Sequence, residues 1–358
     1  MADNKDKKVL NVPHLRFPEF SGEWEKKRFK DVCNITTGNK NTQDKSDDGI
    51  YPFYVRSQNV ERINSWTFDG EAILTAGDGV GVGKVFHYST GKIGVHQRVY
   101  ILSDFKCDGK YLYSYFAGNF YNRVKRMSAK NSVDSVRMEM IADMPISLPS
   151  TMEQKKIGHL LALLDERIAT QNKIIEKLES LIKGIAHRVA GMGKPNVRIA
   201  ECLECTSSTL QESEVSDLGT YPVYGANGIV GFLDSYNTPD EAIYIVKDGS
   251  GVGSVAYVKG KCSATGTLNI LTAKQDYSLQ FLYYMLKVFN FEPYKTGMAI
   301  PHIYFKDYSK AKIFCLSYSK QLRYAKMLEA IDAKLLIEQK VFISLNSQKQ
   351  YLLRLMFI

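Results

Sequence analysis

Tyr51-Pro52-Phe53-Tyr54 returns as Tyr221-Pro222-Val223-Tyr224, and Asp78-Gly79-Val80-Gly81-Val82-Gly83 returns as Asp248-Gly249-Ser250-Gly251-Val252-Gly253. Upstream, Arg28-Phe29-Lys30-Asp31-Val32 matches Arg198-Ile199-Ala200-Glu201-Cys202. Downstream, Tyr111-Leu112-Tyr113-Ser114-Tyr115-Phe116 matches Phe281-Leu282-Tyr283-Tyr284-Met285-Leu286. The pairs share one offset with small slips, and a repeat this long is a whole domain rather than a solenoid unit. The chain is two copies of one module.

Each copy opens with short β-branched and aromatic runs punctuated by glycine. In the first these are Ala72-Ile73-Leu74-Thr75, Lys84-Val85-Phe86 and Val99-Tyr100-Ile101-Leu102. In the second they are Ala242-Ile243-Tyr244-Ile245-Val246, Ser254-Val255-Ala256-Tyr257-Val258 and Leu268-Asn269-Ile270-Leu271. Such runs predict strands, and a helical stretch follows them at 111–126 and 279–288. The pattern predicts a mixed α/β (α+β) fold with a twisted, mainly antiparallel sheet in each copy.

A long helix closes each copy. Apolar residues recur at Ile157, Leu161, Leu164, Ile168, Ile175, Leu178, Ile182 and Ile185, with Gln171 interrupting the stripe. The second stripe is Tyr324, Leu328, Ile331, Leu335, Phe342, Leu345 and Leu352, interrupted by Glu338 and Lys349. Alternating four–three spacing is a coiled-coil seam. Glu338 stands where Gln171 stands in the first copy; either it fixes register or it is a tolerated solvated position. Two seams in one chain pack most simply on each other, since linkage raises their effective concentration. Residues 1–150 are therefore read as an N-terminal segment with the first globular domain and 151–190 as the first long helix. The stretch 191–316 is a linker with the second globular domain, and 317–358 the second long helix. The linker is Gly191-Met192-Gly193-Lys194-Pro195-Asn196.

At 358 residues the length suits two domains, and 44% hydrophobic content argues against wholesale disorder. No apolar run follows Met-Ala-Asp-Asn-Lys-Asp-Lys-Lys, so a signal peptide is not expected. The most apolar stretch, 279–291, carries Lys287 and falls short of the ~20 residues that span a bilayer. These features predict a soluble cytoplasmic protein that does not engage membranes, and six scattered cysteines fit that compartment. The net charge of +9 permits a polyanionic partner without proving one.

The order of globular module, long helix, globular module, long helix is similar to the specificity subunit of type I restriction–modification enzymes. The residues that carry the resemblance are Pro145-Ile146-Ser147-Leu148-Pro149-Ser150-Thr151-Met152-Glu153-Gln154-Lys155-Lys156-Ile157, leading into Leu163-Leu164-Asp165-Glu166-Arg167-Ile168. The start Asn11-Val12-Pro13-His14-Leu15-Arg16-Phe17-Pro18-Glu19-Phe20 with Gly22-Glu23-Trp24 also resembles the family's opening. The likeness covers nearly the whole chain. It implies that each globular part is a target-recognition domain reading one half of a split, asymmetric duplex DNA site. It further implies that the helices space the readers and dock two modification subunits, through which restriction subunits join. S-adenosylmethionine, ATP and magnesium would then sit on those partners, with no cofactor on this chain. A spacer helix of about 35 residues is about 50 Å long, roughly 15 base pairs, which suits two readers about one helical turn apart. The second helix start departs from the pattern: Leu148-Pro149-Ser150 becomes Leu316-Ser317-Tyr318, and Glu153-Gln154 becomes Lys320-Gln321. Pro149 sets a sharp start, with Thr151 a possible cap, and Ser319 is the counterpart in the second copy. The departure puts in doubt whether the two modification-subunit sites are equivalent.

No catalytic or metal site is expected. Gly77-Asp78-Gly79-Val80-Gly81-Val82-Gly83 matches neither G-x-G-x-x-G nor a P-loop and reads as tight turns between strands. Cys202-Leu203-Glu204-Cys205 is a C-x-x-C without a second pair, and its equivalents in the first copy are Val32 and Ile35, so both cysteines read as core. His87, His96 and His302 lack repeat-matched carboxylate or serine partners.

Base reading needs Arg, Asn or Gln in loops, while Lys, Ser and Thr mostly hold phosphates. In the first module that points to Arg56, Gln58, Asn59, His96, Gln97, Arg98, Arg123, Lys125, Arg126, Lys130 and Asn131. In the second it points to Tyr224, Asn227, Thr265, Thr267, Lys295, Thr296 and His302. These positions differ between copies while the framework repeats, as two readers of different half-sites require; ordinary solvated loop residues are the bland alternative. Lys173, Lys177 and Lys183 read as solvated helix face. A specificity subunit serving a methylation-only complex, or a coiled-coil adaptor that binds no DNA, fits the same sequence.

Overall fold

The structure, a computed structural model, describes residues 10–127, 135–249, 251–297 and 300–358. The chain forms two compact units: Met1–Gln171 with Val341–Ile358, and Asn172–Lys340.

In unit 1 the principal strands are β1 (Asn34–Thr37), β2 (Tyr51–Tyr54), β3 (Ala72–Ala76), β4 (Phe86–Ser89), β5 (Lys92–Val95) and β6 (Val99–Ser103). Helix α1 (Gly109–Met127) follows, and then the long helix α2 (Thr151–Ala190). One sheet has the order β1-β6-β3-β4 and is antiparallel throughout. A second runs from Glu61–Ile63 through β2 and β5 to Phe68–Asp69, with β2 and β5 parallel. Every residue of β3 is buried because both of its faces are covered. Ile73, with Leu102 opposite it, packs in one cluster with Leu112, Phe116 and Phe120 of α1. Ala72 and Leu74 pack instead with Tyr54, Ile93, Val95 and Ile101. A strand buried on both faces cannot alternate polar and apolar residues, which is why it reads as a continuous apolar run. Each such core side chain contributes about 1.5–3 kcal/mol on burial.

Unit 2 repeats this plan with β7 (Leu203–Ser207), β8 (Tyr221–Gly225), β9 (Ala242–Val246), β10 (Val255–Val258), β11 (Ser263–Ala264) and β12 (Leu268–Ala273). Helix α3 (Leu279–Lys287) and the long helix α4 (Tyr318–Met356) close it. The sheet order β7-β12-β9-β10 is again antiparallel, and β8 lies parallel to β11. The register repeats as well: Ile243 faces Leu271 as Ile73 faces Leu102, and Tyr224 lies beside Ala264 as Tyr54 lies beside Val95. One expected strand moves. Lys84 and Val85 both donate their backbone N–H to the Gly81 carbonyl, so they close a turn and β4 starts only at Phe86.

Each long helix contributes to both units. The start of α2 and the end of α4 belong to unit 1, the end of α2 and the start of α4 to unit 2. In unit 1, Ile157 and Leu161 share a core with Leu352, Leu353 and Met356, and Asp165 pairs with Lys349. Moving up α2 therefore means moving down α4, an antiparallel pair. In unit 2, Ile182, Ala186 and Val189 share a core with Ala325 and Leu328. All the seam positions are buried or half-buried, including Gln171 and Glu338. Glu338 pairs with Lys334 one turn earlier on the same helix.

The helix starts differ in detail from the sequence expectation. Ser150, not Thr151, caps α2: its Oγ accepts the Glu153 N–H at 3.4 Å and its carbonyl accepts the Gln154 N–H. At α4 the same carbonyl role falls to Ser317, while Ser319 lies inside the helix. The N-terminal stretch is tied onto unit 1 by Asn11 and Trp24 bonding each other, by Leu15 N–H to the Leu355 carbonyl, and by Arg16. Arg16 grips the fully buried Glu153 carboxylate with two bonds, Nε to Oε1 at 2.8 Å and Nη2 to Oε2 at 2.7 Å.

Candidate nucleic-acid interface

In unit 1 the glycine-rich turn between β3 and β4 lies against two neighbouring loops. Gly77 donates its N–H to the Arg98 carbonyl at 2.8 Å. Gly81 sits so close to the segment after β2 that a Cβ there would stand 2.5 Å from the Arg56 carbonyl oxygen. The glycines thus let three loops meet at backbone distance, as the tight-turn reading implies.

Where they meet, Asp78 accepts a hydrogen bond from Arg56 Nη1 at 2.8 Å and faces Arg98 Nε at 3.6 Å. His96 lies beneath: its Nδ1 accepts the Arg98 backbone N–H at 3.0 Å, so its proton is on Nε2. Gln97 donates to Asn41 Oδ1 at 2.6 Å. Val80, at the tip of the turn, is 97% exposed.

Unit 2 builds the same crossing from different side chains. Lys247 takes the place of Gly77, donating its N–H to the Thr267 carbonyl at 2.9 Å. Asp248 pairs in a β-bridge with His302, as Asp78 does with Ser135. His302 and Thr296 exchange backbone hydrogen bonds at 2.8 and 2.9 Å, and the His302 ring meets Tyr304 edge-on. Beside them is an open groove of about 460 Å³ lined by Lys247, Asp248, Tyr304 and Lys306 among others.

The expected readers fall into three groups. Arg56, Gln58, Asn59, Gln97, Arg98, Lys125, Arg126, Asn227 and Thr296 are exposed, and Tyr224, Thr267, Lys295 and His302 half-exposed. Three are engaged elsewhere: His96 and Thr265 are turned inward and buried, and Arg123 Nε donates to the Met140 carbonyl at 2.7 Å. His96 and Thr265 occupy one equivalent position, where the chain leaves the parallel strand pair and donates its N–H to the Tyr54 or Tyr224 carbonyl. That position faces the core, so both side chains are turned away from the loop surface. Burial also pulls the Arg123 guanidinium pKa down. Lys130 and Asn131 lie outside the described residues. Asp78, Asp248, Tyr304 and Lys306 were not singled out from sequence. The signal for the aspartates was present: they persist in both copies while residues of the facing loops change, Arg56 against Ala226 and Arg98 against Thr267.

The C-x-x-C holds no metal-site geometry. Cys202 is buried with its Sγ 3.3 Å from the Ile199 carbonyl, and hydrogen bonding to the Cys315 thiol together with burial pushes its pKa well up. Burial lifts Cys205 to about 11, so neither offers a thiolate near neutral pH. Among the described residues no group of three or more His, Cys, Asp or Glu converges on a metal position. Nor, among them, is any helix long and apolar enough to cross a membrane.

A family model for the type I restriction modification DNA specificity domain matches residues 21–180 and again 196–346. The chain belongs to the type I DNA specificity family. It is similar to the EcoDI specificity subunit of Escherichia coli, 27% identical over 45% of this chain and 35% of that protein. It thus spans about a third of that relative's length. A type I specificity subunit of Mycoplasma genitalium is 23% identical over 72% of this chain and 73% of its own. The crystal structure of an S subunit of a type I restriction-modification system from M. genitalium shares the fold, with a TM-score of 0.74 over 97% of this chain and 99% of that one at 18% identity.

In this specificity chain the His96 contact has a pH consequence. Burial, with Arg56 and Arg98 nearby, holds its pKa below the usual histidine value against the opposing pull of Asp78 and Asp44. His87, which faces the Ser57 carbonyl, is depressed by burial too. A depressed pKa means the unfolded chain takes up protons first, so the stability is present above about pH 6.5 and is lost as pH falls through the folded-state value. Thermal unfolding of unit 1 should therefore drop between pH 7 and pH 5, and His96→Asn, which keeps an acceptor but does not titrate, should flatten the drop. An unchanged slope in that variant would remove His96 from the account.

Proposed function

We propose that the chain reads the two halves of a split, asymmetric duplex DNA sequence, one half with each unit, on behalf of two modification subunits that carry S-adenosylmethionine. Restriction subunits, using ATP and magnesium, would join through them. The observation that carries this reading is the loop crossing built twice on one backbone framework with different side chains, Arg56 and Arg98 in one unit, Thr267 and His302 in the other. One framework with two sets of side chains is what two different half-sites call for. The net charge of +9 and the arginine-, glutamine- and asparagine-bearing loops add to it. Helices of 40 and 39 residues each contribute to both units.

The test is methylation sequencing of cells expressing the chain with and without its modification subunit. The expected result is one new split, asymmetric methylated motif. Exchanging residues 28–148 for those of a relative should then rewrite one half and leave the other intact. A stable complex that methylates no motif would leave an adaptor that binds no DNA as the better account. Binding should also weaken steeply with salt, because phosphate contacts release counterions.

A further inference from the structure

Asp78 and Asp248 occupy one structural position. Residues 77 and 247 donate to the carbonyls of residues 98 and 267, and Val136 and Ile303 donate to the carbonyls of 77 and 247. Around the shared aspartate the other positions change: Arg56 stands where unit 2 has Ala226, Arg98 where it has Thr267, and Ser135 where it has His302. A carboxylate kept in both units cannot itself carry the difference between two half-sites, but its partners can.

We infer that Asp78 holds Arg56 and Arg98 as a pre-aligned guanidinium pair that reads guanine in the half-site taken by unit 1. The inference rests on the two-half-site reading above. The Asp78 side chain is 26% exposed against 45% for Arg56 and 65% for Arg98, so the carboxylate sits behind and the guanidinium groups in front. Ion pairs this exposed add little to folding stability, and their effect is to fix direction. Arg56 spends only Nη1 on Asp78 and Arg98 faces it through Nε. Arginine has five N–H donors in a planar fork, and among the described residues no hydrogen bond takes the terminal nitrogens of Arg98. That fork matches the O6 and N7 acceptors of guanine in the major groove.

The backbone beneath is fixed as well. Arg98 N–H is held by His96 Nδ1, Arg98 carbonyl by Gly77 N–H, and the Arg56 carbonyl lies under Gly81. A side chain tethered on a tied backbone loses less freedom on docking than a loose one. The same fork also fits a phosphate bidentately, so base reading and phosphate clamping are separated by sequence and salt dependence.

The test compares wild type with Arg56→Ala, Arg98→Ala and Asp78→Asn, each as the full chain with its modification subunit, by methylation sequencing. Each arginine variant should make one guanine position degenerate, with discrimination there falling about 10- to 100-fold. The affected half should be the one rewritten by exchanging residues 28–148, with the other half unaltered. Asp78→Asn should relax the same position more weakly. Two results would overturn the inference. One is an unchanged motif in both arginine variants. The other is a uniform loss of binding to all sequences with the salt slope reduced by about one, which would make the arginines phosphate contacts. Should the alanine variants fold poorly, Arg98→Gln gives the same decision: adenine accepted in place of guanine supports the inference, and strict retention of guanine sinks it. A wild-type complex without any split motif would instead bring down the two-half-site reading, and that is visible before any variant is compared.

Discussion

Arg16→Met is expected to cost unit 1 about 3–5 kcal/mol, the range for a buried ion pair broken from one side. Glu153 is fully buried, and Arg16 supplies both bonds to its carboxylate while donating to the carbonyls of Gly22 at 2.7 Å and Ser21 at 3.0 Å. The variant leaves a buried carboxylate without its partner and frees the N-terminal stretch that also bonds the end of α4 through Leu15. Domain stabilities are about 5–15 kcal/mol, so much of the margin of unit 1 would go. Calorimetry of the full chain should show the unit 1 transition moving down while that of unit 2 stays. Replacing both residues by apolar ones of similar volume should recover most of the loss. A loss under about 1 kcal/mol in the single variant would mean that water reaches the carboxylate. No such test exists in unit 2, where Lys320 stands at the position equivalent to Glu153.

Gln154→Leu and Gln321→Leu are expected to cost about 2–4 kcal/mol each, in their own units. Gln154 Oε1 accepts the Asp108 N–H at 3.0 Å while its Nε2 donates to the Pro149 carbonyl at 2.8 Å. Gln321 does the same with the Ser278 N–H at 2.9 Å and the Leu316 carbonyl at 2.8 Å. Both glutamines are buried. Asp108 and Ser278 cap α1 and α3, accepting the N–H groups of Tyr111 and Phe281, so one side chain joins the start of a long helix to the cap of a sheet-covering helix. Leucine would orphan one buried N–H and one carbonyl, each worth about 1–3 kcal/mol. Denaturant unfolding of each variant, followed by a probe in each unit, checks this. Equal effects in both units from one variant would contradict the separate cores that Ile73–Phe116 and Ile243–Phe281 represent.

The pair Glu153-Gln154 against Lys320-Gln321 shows how far the sequence could be read. The glutamine survives duplication because its partners are backbone groups, which both copies supply whatever their side chains. The glutamate does not, because its partner Arg16 lies in a stretch present once. Likewise Ala72–Ala76 and Ala242–Val246 were legible as strands because burial on both faces demands apolar residues throughout. The start of β4 was not legible, since nothing in Lys84-Val85-Phe86 says that the first two amides turn back to Gly81.

By itself the sequence determined the duplication, the order of sheet, helix and long helix in each copy, the coiled-coil seams and the family. The duplication, the element order and the seams follow from local periodicity and self-similarity, where neighbouring residues carry the information, and the family from the resemblance carried by 11–24, 145–157 and 163–168. Only the tertiary structure decided that each unit takes the start of one long helix and the end of the other, because seam residues look alike along both. It also decided that His96 and Thr265 turn inward while Arg56, Asp78 and Arg98, each about twenty residues from the next, come together at one loop crossing. Loop positions carry no periodicity, and the direction of a side chain there is set by the strands and turns that pack around it.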